Sequence, residues 1–265
     1  AIPHASAAYM AQQIVKTKGL EVPFITTLHG TDITLVGKDK TYEPVVTFSM
    51  NNSNAVTAVS QNLKEETLQH FEMTQEIQVI NNFVDIKRFQ YSDKEHFKKI
   101  IAPNGEKILV HVSNFRKVKR TEDVIRIFDL VRKQLPAKLV MVGDGPERHK
   151  LEELCRKLGI CNLVKFVGKV KDTERILAAS DVFILPSESE SFGLAALEAM
   201  ACEVPVISSN AGGIPEINIH NETGFLSDVG DVADMAANAI KLLSDEEMLT
   251  KFKQNALAKA KTFHI

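Results

Sequence analysis

Two glutamates, Glu190 and Glu198, stand eight residues apart where a sequence built only for a core would avoid them. Glu190 follows the apolar run DVFILP, and Glu198 interrupts the apolar segment FGLAALEAMA at residues 192–201. If that segment is a helix, Glu190 lies at its mouth and Glu198 about two turns in. A carboxylate so placed can accept two hydrogen bonds from a vicinal diol. The alternative, a solvated helix face, is disfavoured because the neighbours of Glu198 are nearly all apolar.

Other polar residues follow the remaining apolar runs of the chain. Ligands of open α/β sheets bind outside the carboxyl ends of the strands, so these residues form one candidate rim. Its cations, glycines and carboxylates suit a ligand with phosphates and many hydroxyls. Besides Glu190, the rim contains His29, Gly30, Thr31, Asp32, Asn81, Asn82, Asn114, Arg116, Lys117, Lys119, Arg120, Gly143, Asp144, Gly145, Glu188, Ser191, Ala211, Gly212 and Gly213.

Two short motifs in this rim have alternative explanations. FRKVKR at residues 115–120 carries four cations in six residues at the entrance to a predicted helix, which favours phosphate; a solvated surface turn explains it equally. GDGPE at residues 143–147 lacks the full G-x-G-x-x-G spacing, and close packing of a strand and a helix explains it. An NAD-dependent oxidoreductase is therefore disfavoured.

The composition narrows the class of protein. The chain has 265 residues, 44% of them hydrophobic, and a formal net charge of −2, so no general field would recruit nucleic acid or an anionic membrane. No apolar run approaches the roughly 20 residues that span a bilayer. We interpret the three cysteines as buried free thiols and expect a cytoplasmic setting. The oligomeric state stays open, a homo-oligomer among the options.

Most of the chain repeats an apolar run, a polar loop and a helical pattern. From residue 101 to 265 this repeat predicts a doubly wound α/β domain with a parallel sheet. Residues 1–100 contain three predicted strands, at 22–30, 55–60 and 77–84, which are too few for an independent domain of this kind. We therefore expect an incomplete second Rossmann-like domain there, whose earlier residues are missing.

Two local features complete the prediction of the fold. Residues 85–106, which contain Pro103–Asn104–Gly105, are interpreted as the linker between the domains. Ser244 and Glu247 fit a capping box at the start of the last helix.

The motifs as a set resemble the retaining GT-B glycosyltransferases of family 4. The resemblance rests on the E-x7-E pair after LPS, on EAMA, on PVISSNAGGIPE and on ETGFL, and it extends through TLHGTDIT and VINNFVDIKRF over essentially the whole chain. It implies two Rossmann-like domains, with an acceptor-side domain at 1–100 and a nucleotide-sugar-binding domain at 101–265. TLHGTDI, HVSNFRKVKR and SESESFGL look most like the members that transfer N-acetylglucosamine from its UDP derivative to L-malate, the first step of bacillithiol biosynthesis.

The resemblance also assigns roles to single residues. Glu198 would hold the ribose hydroxyls of UDP, Glu190 would face the hydroxyls of the donor sugar, and Lys119 would bind the diphosphate. His29 would lie beside the donor sugar, with a hydrogen-bonded core histidine as the alternative. Many family members carry arginine in place of Asn114, a charge that Arg116 can supply. The remaining assignments are the donor-binding backbone of Ser191, Phe192, Gly193 and Leu194 and the acceptor-binding residues Thr31 and Asn82.

The resemblance implies a metal-independent reaction without a cofactor, between a nucleotide-sugar donor and a small hydroxy-acid acceptor. Two other functions stay open. The acceptor could instead be a lipid or a polysaccharide, as in other members of the family. The chain could also be a nucleotide-sugar-binding module without catalysis.

Overall fold

The computed structural model describes residues 4–31, 33, 39–90 and 93–264, so Asp32 of the predicted rim lies outside the described residues. The chain divides into two compact units, Ala1–Asn82 and Phe83–Ile265.

The first unit contains a parallel sheet in the order β1-β2-β3. Its three strands coincide with the three predicted ones. Ser60 caps the helix after β2, since its hydroxyl accepts a hydrogen bond from the Leu63 N–H at 3.0 Å. The elements are α1 (His4–Lys16), β1 (Ile25–Leu28), α2 (Glu43–Asn51), β2 (Ala55–Ala58), α3 (Gln61–His70) and β3 (Ile77–Val79).

The second unit alternates strands and helices, as the repeat predicts. Before the first strand come α4 (Ile86–Phe89) and α5 (Lys94–Ile101). The strands are β4 (Lys107–Val112), β5 (Ala137–Val142), β6 (Val164–Gly168), β7 (Val182–Leu185), β8 (Val206–Ser209) and β9 (Gly224–Ser227). The helices after them are α6 (Thr121–Val131), α7 (Arg148–Leu158), α8 (Thr173–Ala178), α9 (Leu194–Ala201), α10 (Ile214–Ile217), α11 (Val232–Ser244) and α12 (Glu246–Lys261).

The strands of the second unit lie in the order β6-β5-β4-β7-β8-β9, and every pair is parallel. The chain therefore winds outward in one direction from β4 and in the other direction from β7. β7 is buried throughout, because helices cover both faces of such a sheet. The doubly wound parallel α/β fold predicted from the sequence is confirmed.

The predicted linker contains ordered helices of the second unit. α4 packs against α8 and α9, and α5 packs against α8. The compact units consequently divide after Asn82, whereas the sequence analysis placed the boundary after residue 100. The roles of the two units as acceptor-side and nucleotide-sugar-binding domains stay predictions.

Two local features differ from the sequence analysis. No strand is predicted from the sequence at residues 224–227. The structure has β9 there, which pairs in parallel with β8 and sets Gly224 opposite Val206. The predicted capping box of Ser244 and Glu247 is wrong, because Ser244 is the last residue of α11. Asp245 caps α12 instead, accepting a hydrogen bond from the Met248 N–H at 2.9 Å.

A buried carboxylate joins the amino end of the sheet to two helices. Asp181, 1% exposed, accepts a hydrogen bond from the Ile108 N–H at 2.8 Å. Its other oxygen lies 2.8 Å from Lys98 Nζ of α5 and 3.5 Å from Lys253 Nζ of α12. Burial lowers the pKa of Lys253, and the charge of Asp181 opposes that shift. Asp181 thus compensates cations that α5 and α12 bring to the sheet.

We predict that Asp181→Asn lowers the free energy of unfolding by about 2 kcal/mol, because two partly buried lysines lose their counter-charge. Urea unfolding followed by circular dichroism measures this change. The control is Asp172→Asn, which affects an exposed pair with Arg175 at 3.8 Å and should cost less than about 0.5 kcal/mol. Equal losses in both variants would contradict the prediction.

Candidate active site

The strand order reverses between β4 and β7, so the loops after these strands diverge and leave a crevice at the carboxyl end of the sheet. The β4 loop contains a 3-10 turn at Lys117–Lys119, and the β7 loop contains Glu190. Lys119 Nζ lies 2.6 Å from Glu190 Oε1. The backbone joins the same loops, since the Glu188 N–H donates to the Val118 carbonyl at 2.9 Å. The crevice thus holds a predicted diphosphate-binding cation next to a predicted sugar-binding carboxylate.

Glu190 is held at both its side chain and its backbone. Its Oε1 also accepts a hydrogen bond from the Ser187 hydroxyl at 3.0 Å, and its carbonyl accepts from the Gly213 N–H at 2.8 Å. Gly212 has φ +58°, and a Cβ built there would lie 2.0 Å from the Glu190 carbonyl oxygen. A Cβ on Gly213 would lie 2.5 Å from the Ser191 carbonyl oxygen. Only glycines permit this approach of the β8 loop to the β7 loop.

Backbone groups, and not capping side chains, form the amino-terminal end of α9. Gly193, at φ +91°, precedes the helix, whose first N–H groups have no partner within the helix. Phe192 is buried and packs edge-on against Phe263, with ring centroids 5.6 Å apart. Leu194 is exposed and Ser191 is half-buried. The side chain of Phe192 therefore anchors the loop, which leaves its backbone for the predicted contact with the donor.

The two glutamates of the E-x7-E pair meet different partners. Glu190 pairs with Lys119, whereas the half-buried Glu198 lies within the electrostatic reach of Arg88 on α4 and Glu174 on α8. Burial raises the pKa of Glu198, the cation of Arg88 lowers it, and the charge of Glu174 raises it again. The spacing of eight residues therefore places two carboxylates in two distinct electrostatic environments.

The remaining predicted donor residues lie on the β4 loop. Asn114 and Arg116 are both exposed, and the Arg116 N–H donates to the Asn114 carbonyl at 2.6 Å. Arg116 makes no salt bridge with another described residue. Its guanidinium is consequently available to an anion, as the sequence analysis expects.

The predicted residues of the first unit follow its two outer strands. His29 comes directly after β1 and is exposed, which disagrees with the alternative of a core histidine. Thr31 is exposed two residues further on, and the half-buried Asn82 follows β3. Because β2 separates β1 from β3, the strand ends that carry these residues are about 10 Å apart along one edge of the sheet. Their assignment to sugar and acceptor stays a prediction.

Sequence reasoning missed His111, a fully buried histidine of β4 that joins the two crevice strands. Its Nδ1 donates to the Ile184 carbonyl at 2.8 Å, so its Nε2 is the acceptor for the Ser113 hydroxyl at 2.7 Å. Burial lowers the pKa of His111 from 6.5 to about 4, opposed by the bond to Ile184 and assisted by the charge of Lys119. The signal in the sequence was a single polar residue inside the apolar run KILVHV.

No group of three or more histidine, cysteine, aspartate or glutamate residues in the described ranges is placed to hold a metal ion. Among those same ranges, no helix combines the length and the apolar character needed to cross a membrane.

Two families match the sequence. The one described as Glycosyl transferases group 1 matches residues 92–259, and the one described as Glycosyltransferase Family 4 matches residues 2–88. The first match alone covers more than half of the chain. The chain belongs to the glycosyl transferases group 1 family. The family resemblance inferred from the motifs is thus confirmed.

Individual relatives agree with this membership. This chain is 45% identical to N-acetyl-alpha-D-glucosaminyl L-malate synthase of Bacillus anthracis over 94% of its own length and 65% of that protein. It is 35% identical to 2-deoxystreptamine N-acetyl-D-glucosaminyltransferase of Niallia circulans, over 46% of this chain and 33% of that protein. A solved structure of Anabaena Alr3699/HepE in complex with UDP-glucose matches 98% of this chain and 72% of that one, with 25% identity and a TM-score of 0.88. The chain therefore spans less than two thirds of the length of the synthase.

The close contacts of Gly212 generate a stability prediction. Gly212→Ala should lower the free energy of unfolding by about 3 kcal/mol, because the new Cβ would overlap the Glu190 carbonyl. The control is Gly105→Ala, which has φ +79° but no atom within 4 Å of the added Cβ, and which should cost about 1 kcal/mol from backbone strain alone. Chemical unfolding measures both. Equal costs would mean that the close approach to Glu190 is unimportant.

His111 generates a prediction on pH. Between pH 6.5 and about pH 4, His111 takes up a proton in the unfolded chain but not in the folded protein. The free energy of unfolding therefore keeps the full contribution of neutral His111 above pH 6.5 and loses it as the pH falls towards 4. His111 contributes up to roughly 3 kcal/mol to this loss. Unfolding experiments at about pH 7.5 and about pH 4.5 should show a smaller pH-dependent loss for His111→Gln than for the unchanged protein. His149→Gln, on the exposed face of α7, should keep the full loss; an unchanged loss in His111→Gln would refute the prediction.

Proposed function

We propose that this glycosyltransferase moves N-acetylglucosamine from UDP-N-acetylglucosamine to the hydroxyl of L-malate, with retention at the anomeric carbon, as the first step of bacillithiol biosynthesis. The observation that carries the proposal is the 45% identity, over 94% of the chain, to a relative named for the product of this reaction. Another relative named for the same sugar, a 2-deoxystreptamine N-acetyl-D-glucosaminyltransferase, supports the donor but has another acceptor in its name. The crevice in the second unit supports a nucleotide-sugar site.

The donor site in this proposal uses the residues around the crevice. Lys119 and Arg116 bind the diphosphate, and the free N–H groups at the mouth of α9 assist them. Glu198 accepts hydrogen bonds from the ribose hydroxyls. Asn114 and the backbone of Ser191–Leu194 complete the contacts with the diphosphate and the sugar.

The proposed chemistry replaces one C–O bond by another at the anomeric carbon. The acceptor oxygen attacks from the face on which the diphosphate leaves, the bond from the anomeric carbon to the phosphate oxygen breaks, and the departing phosphate accepts the hydroxyl proton. Negative charge grows on the diphosphate, so the protein's largest contribution is the stabilisation of that charge by Lys119 and Arg116. We expect these cations to make a divalent metal or other cofactor unnecessary, so that a chelator leaves the rate unchanged.

The sugar and acceptor contacts rest on the family resemblance. Glu190 faces the hydroxyls of the donor sugar, His29 lies beside that sugar, and Thr31 and Asn82 contact the acceptor. In this mechanism no carboxylate forms a covalent intermediate. Detection of a glycosyl adduct on Glu190 by mass spectrometry would overturn that part.

Calorimetric titration with UDP and with UDP-N-acetylglucosamine tests the donor site. We expect binding in the presence of a chelator, and binding at least about a hundredfold weaker for Glu198→Gln, because two charge-assisted hydrogen bonds from the ribose are lost. Glu153→Gln, an exposed glutamate of α7, serves as the matched control and should bind as the unchanged protein does. Undiminished binding by a folded Glu198→Gln variant would exclude this donor site.

The acceptor is tested separately, by mass spectrometry of the products formed from UDP-N-acetylglucosamine with L-malate. We expect an N-acetylglucosaminyl malate and one equivalent of UDP. Donor binding without product would favour a nucleotide-sugar-binding module. Product formation only with a lipid or a polysaccharide would show that one of these, and not L-malate, is the acceptor.

A further inference from the structure

A second carboxylate, that of Glu174, acts electrostatically on Glu198 and lacks a hydrogen-bond donor for one of its oxygens among the described residues. Glu174 is in the first turn of α8, and its Oε2 is buried with no hydrogen-bond partner among the described residues. The nearest cation is Arg88, whose Nη2 is 3.6 Å away. A buried acceptor without a donor costs about 1–3 kcal/mol, and more when it is charged. The arrangement thus lowers the stability of the fold, and such unpaired groups call for a functional explanation.

The guanidinium of Arg88 is held over the two helices that carry these carboxylates. Arg88 lies on α4, where Asp85 caps the helix by accepting a hydrogen bond from the Lys87 N–H at 3.0 Å. Its Nη2 donates to the Lys171 carbonyl, just before α8, at 3.1 Å. α4 packs against both α8 and α9, and about half of the Arg88 side chain, 53%, stays exposed. Cys202, one turn after Glu198, contacts the carbonyls of Phe89 and Glu174 at 3.2 and 3.8 Å, so the face of α9 that carries Glu198 packs against α4 and α8.

The charges around Glu198 determine whether it can accept a diol. Two charged groups change the pKa of Glu198, namely Arg88 on α4 and Glu174 on α8. The elements α12, β7 and β8 also pack against α9, but no described charged residue of theirs has a comparable effect on Glu198. A neighbouring carboxylate that lacks a compensating cation disfavours the ionised form of Glu198. A protonated carboxyl offers fewer acceptor sites, and its hydrogen bonds lose their charge assistance.

We propose that Arg88 is a positioning residue for the nucleotide, which neutralises Glu174 and thereby keeps Glu198 ionised and free to accept the ribose hydroxyls. This inference rests on the proposed function, in which Glu198 holds the ribose. Arg88 itself needs no contact with the ligand. Its role follows from its contact with Glu174 at 3.6 Å and from the charge that it brings to the surroundings of Glu198.

Calorimetric titration with UDP tests this inference through a pair of charge changes. Arg88→Gln should weaken UDP binding about tenfold at neutral pH, and more strongly at about pH 6, because the uncompensated charge of Glu174 then favours the protonated form of Glu198. Adding Glu174→Gln to Arg88→Gln should restore binding to within about threefold, since the second carboxylate no longer needs a cation. Arg88→Lys, which keeps the charge, should also bind within about threefold. The matched control Lys87→Gln, on the same short helix, should bind as the unchanged protein does.

The outcomes separate this inference from the proposed function. Undiminished UDP binding by Glu198→Gln, or no UDP binding by the folded unchanged protein, would overturn both. Weak binding by Glu198→Gln with full binding by Arg88→Gln would overturn the inference alone. A loss in Arg88→Gln that Glu174→Gln does not restore would show that Arg88 acts through packing, which also overturns it. If thermal unfolding shows that Arg88→Gln does not fold, Arg88→Lys decides: tight binding supports the role of the charge, and weak binding refutes it.

Discussion

The site depends on the close approach of two backbone segments, the glycines after β8 and the loop after β7. Gly212 and Gly213 contact the carbonyls of Glu190 and Ser191 at distances that leave no room for a Cβ. This contact orients the loop that carries Glu190 and leads into α9. His111 supports the same loop from the strand below, through the Ile184 carbonyl at the end of β7. Small residues and a neutral histidine thus position the charged residues.

Two opposite charges of the crevice, those of Lys119 and Glu190, are paired with each other. Lys119 and Glu190 form a half-buried pair, so a diphosphate bound as proposed competes with Glu190 for the same ammonium group. In the proposed function this exchange is favourable because a diphosphate carries more charge than one carboxylate and also meets Arg116 and the α9 N–H groups. Glu190, released from Lys119, could then accept hydrogen bonds from a sugar. The ion pair accordingly keeps both side chains in place for the ligand.

Two buried carboxylates of the second unit, Asp181 and Glu174, differ in how fully they are paired. At the amino end, Asp181 has a backbone donor and two lysines, which is what a stabilising buried charge requires. Glu174, in the first turn of the helix that follows β6, has an oxygen that receives no hydrogen bond from the described part of the chain, and it contacts Arg88 at 3.6 Å. Fully paired groups hold a fold together, whereas incompletely paired groups are typical of sites that bind ligands. This contrast distinguishes the structural carboxylate from those near the proposed ribose site.

The sequence by itself determined the alternation of strands and helices, the parallel sheet and the family, because these depend on local periodicity and on motifs, and it singled out the E-x7-E pair as a candidate site. It could not show the partners of the two glutamates, since Lys119 is 71 residues before Glu190 in the chain and Arg88 lies in a segment that reads as a linker. It also could not assign a role to His111, whose partner Ile184 is 73 residues away, or show that the glycines after β8 approach Glu190. Only the tertiary structure decided these points, because packing brings together residues that sequence spacing leaves unrelated.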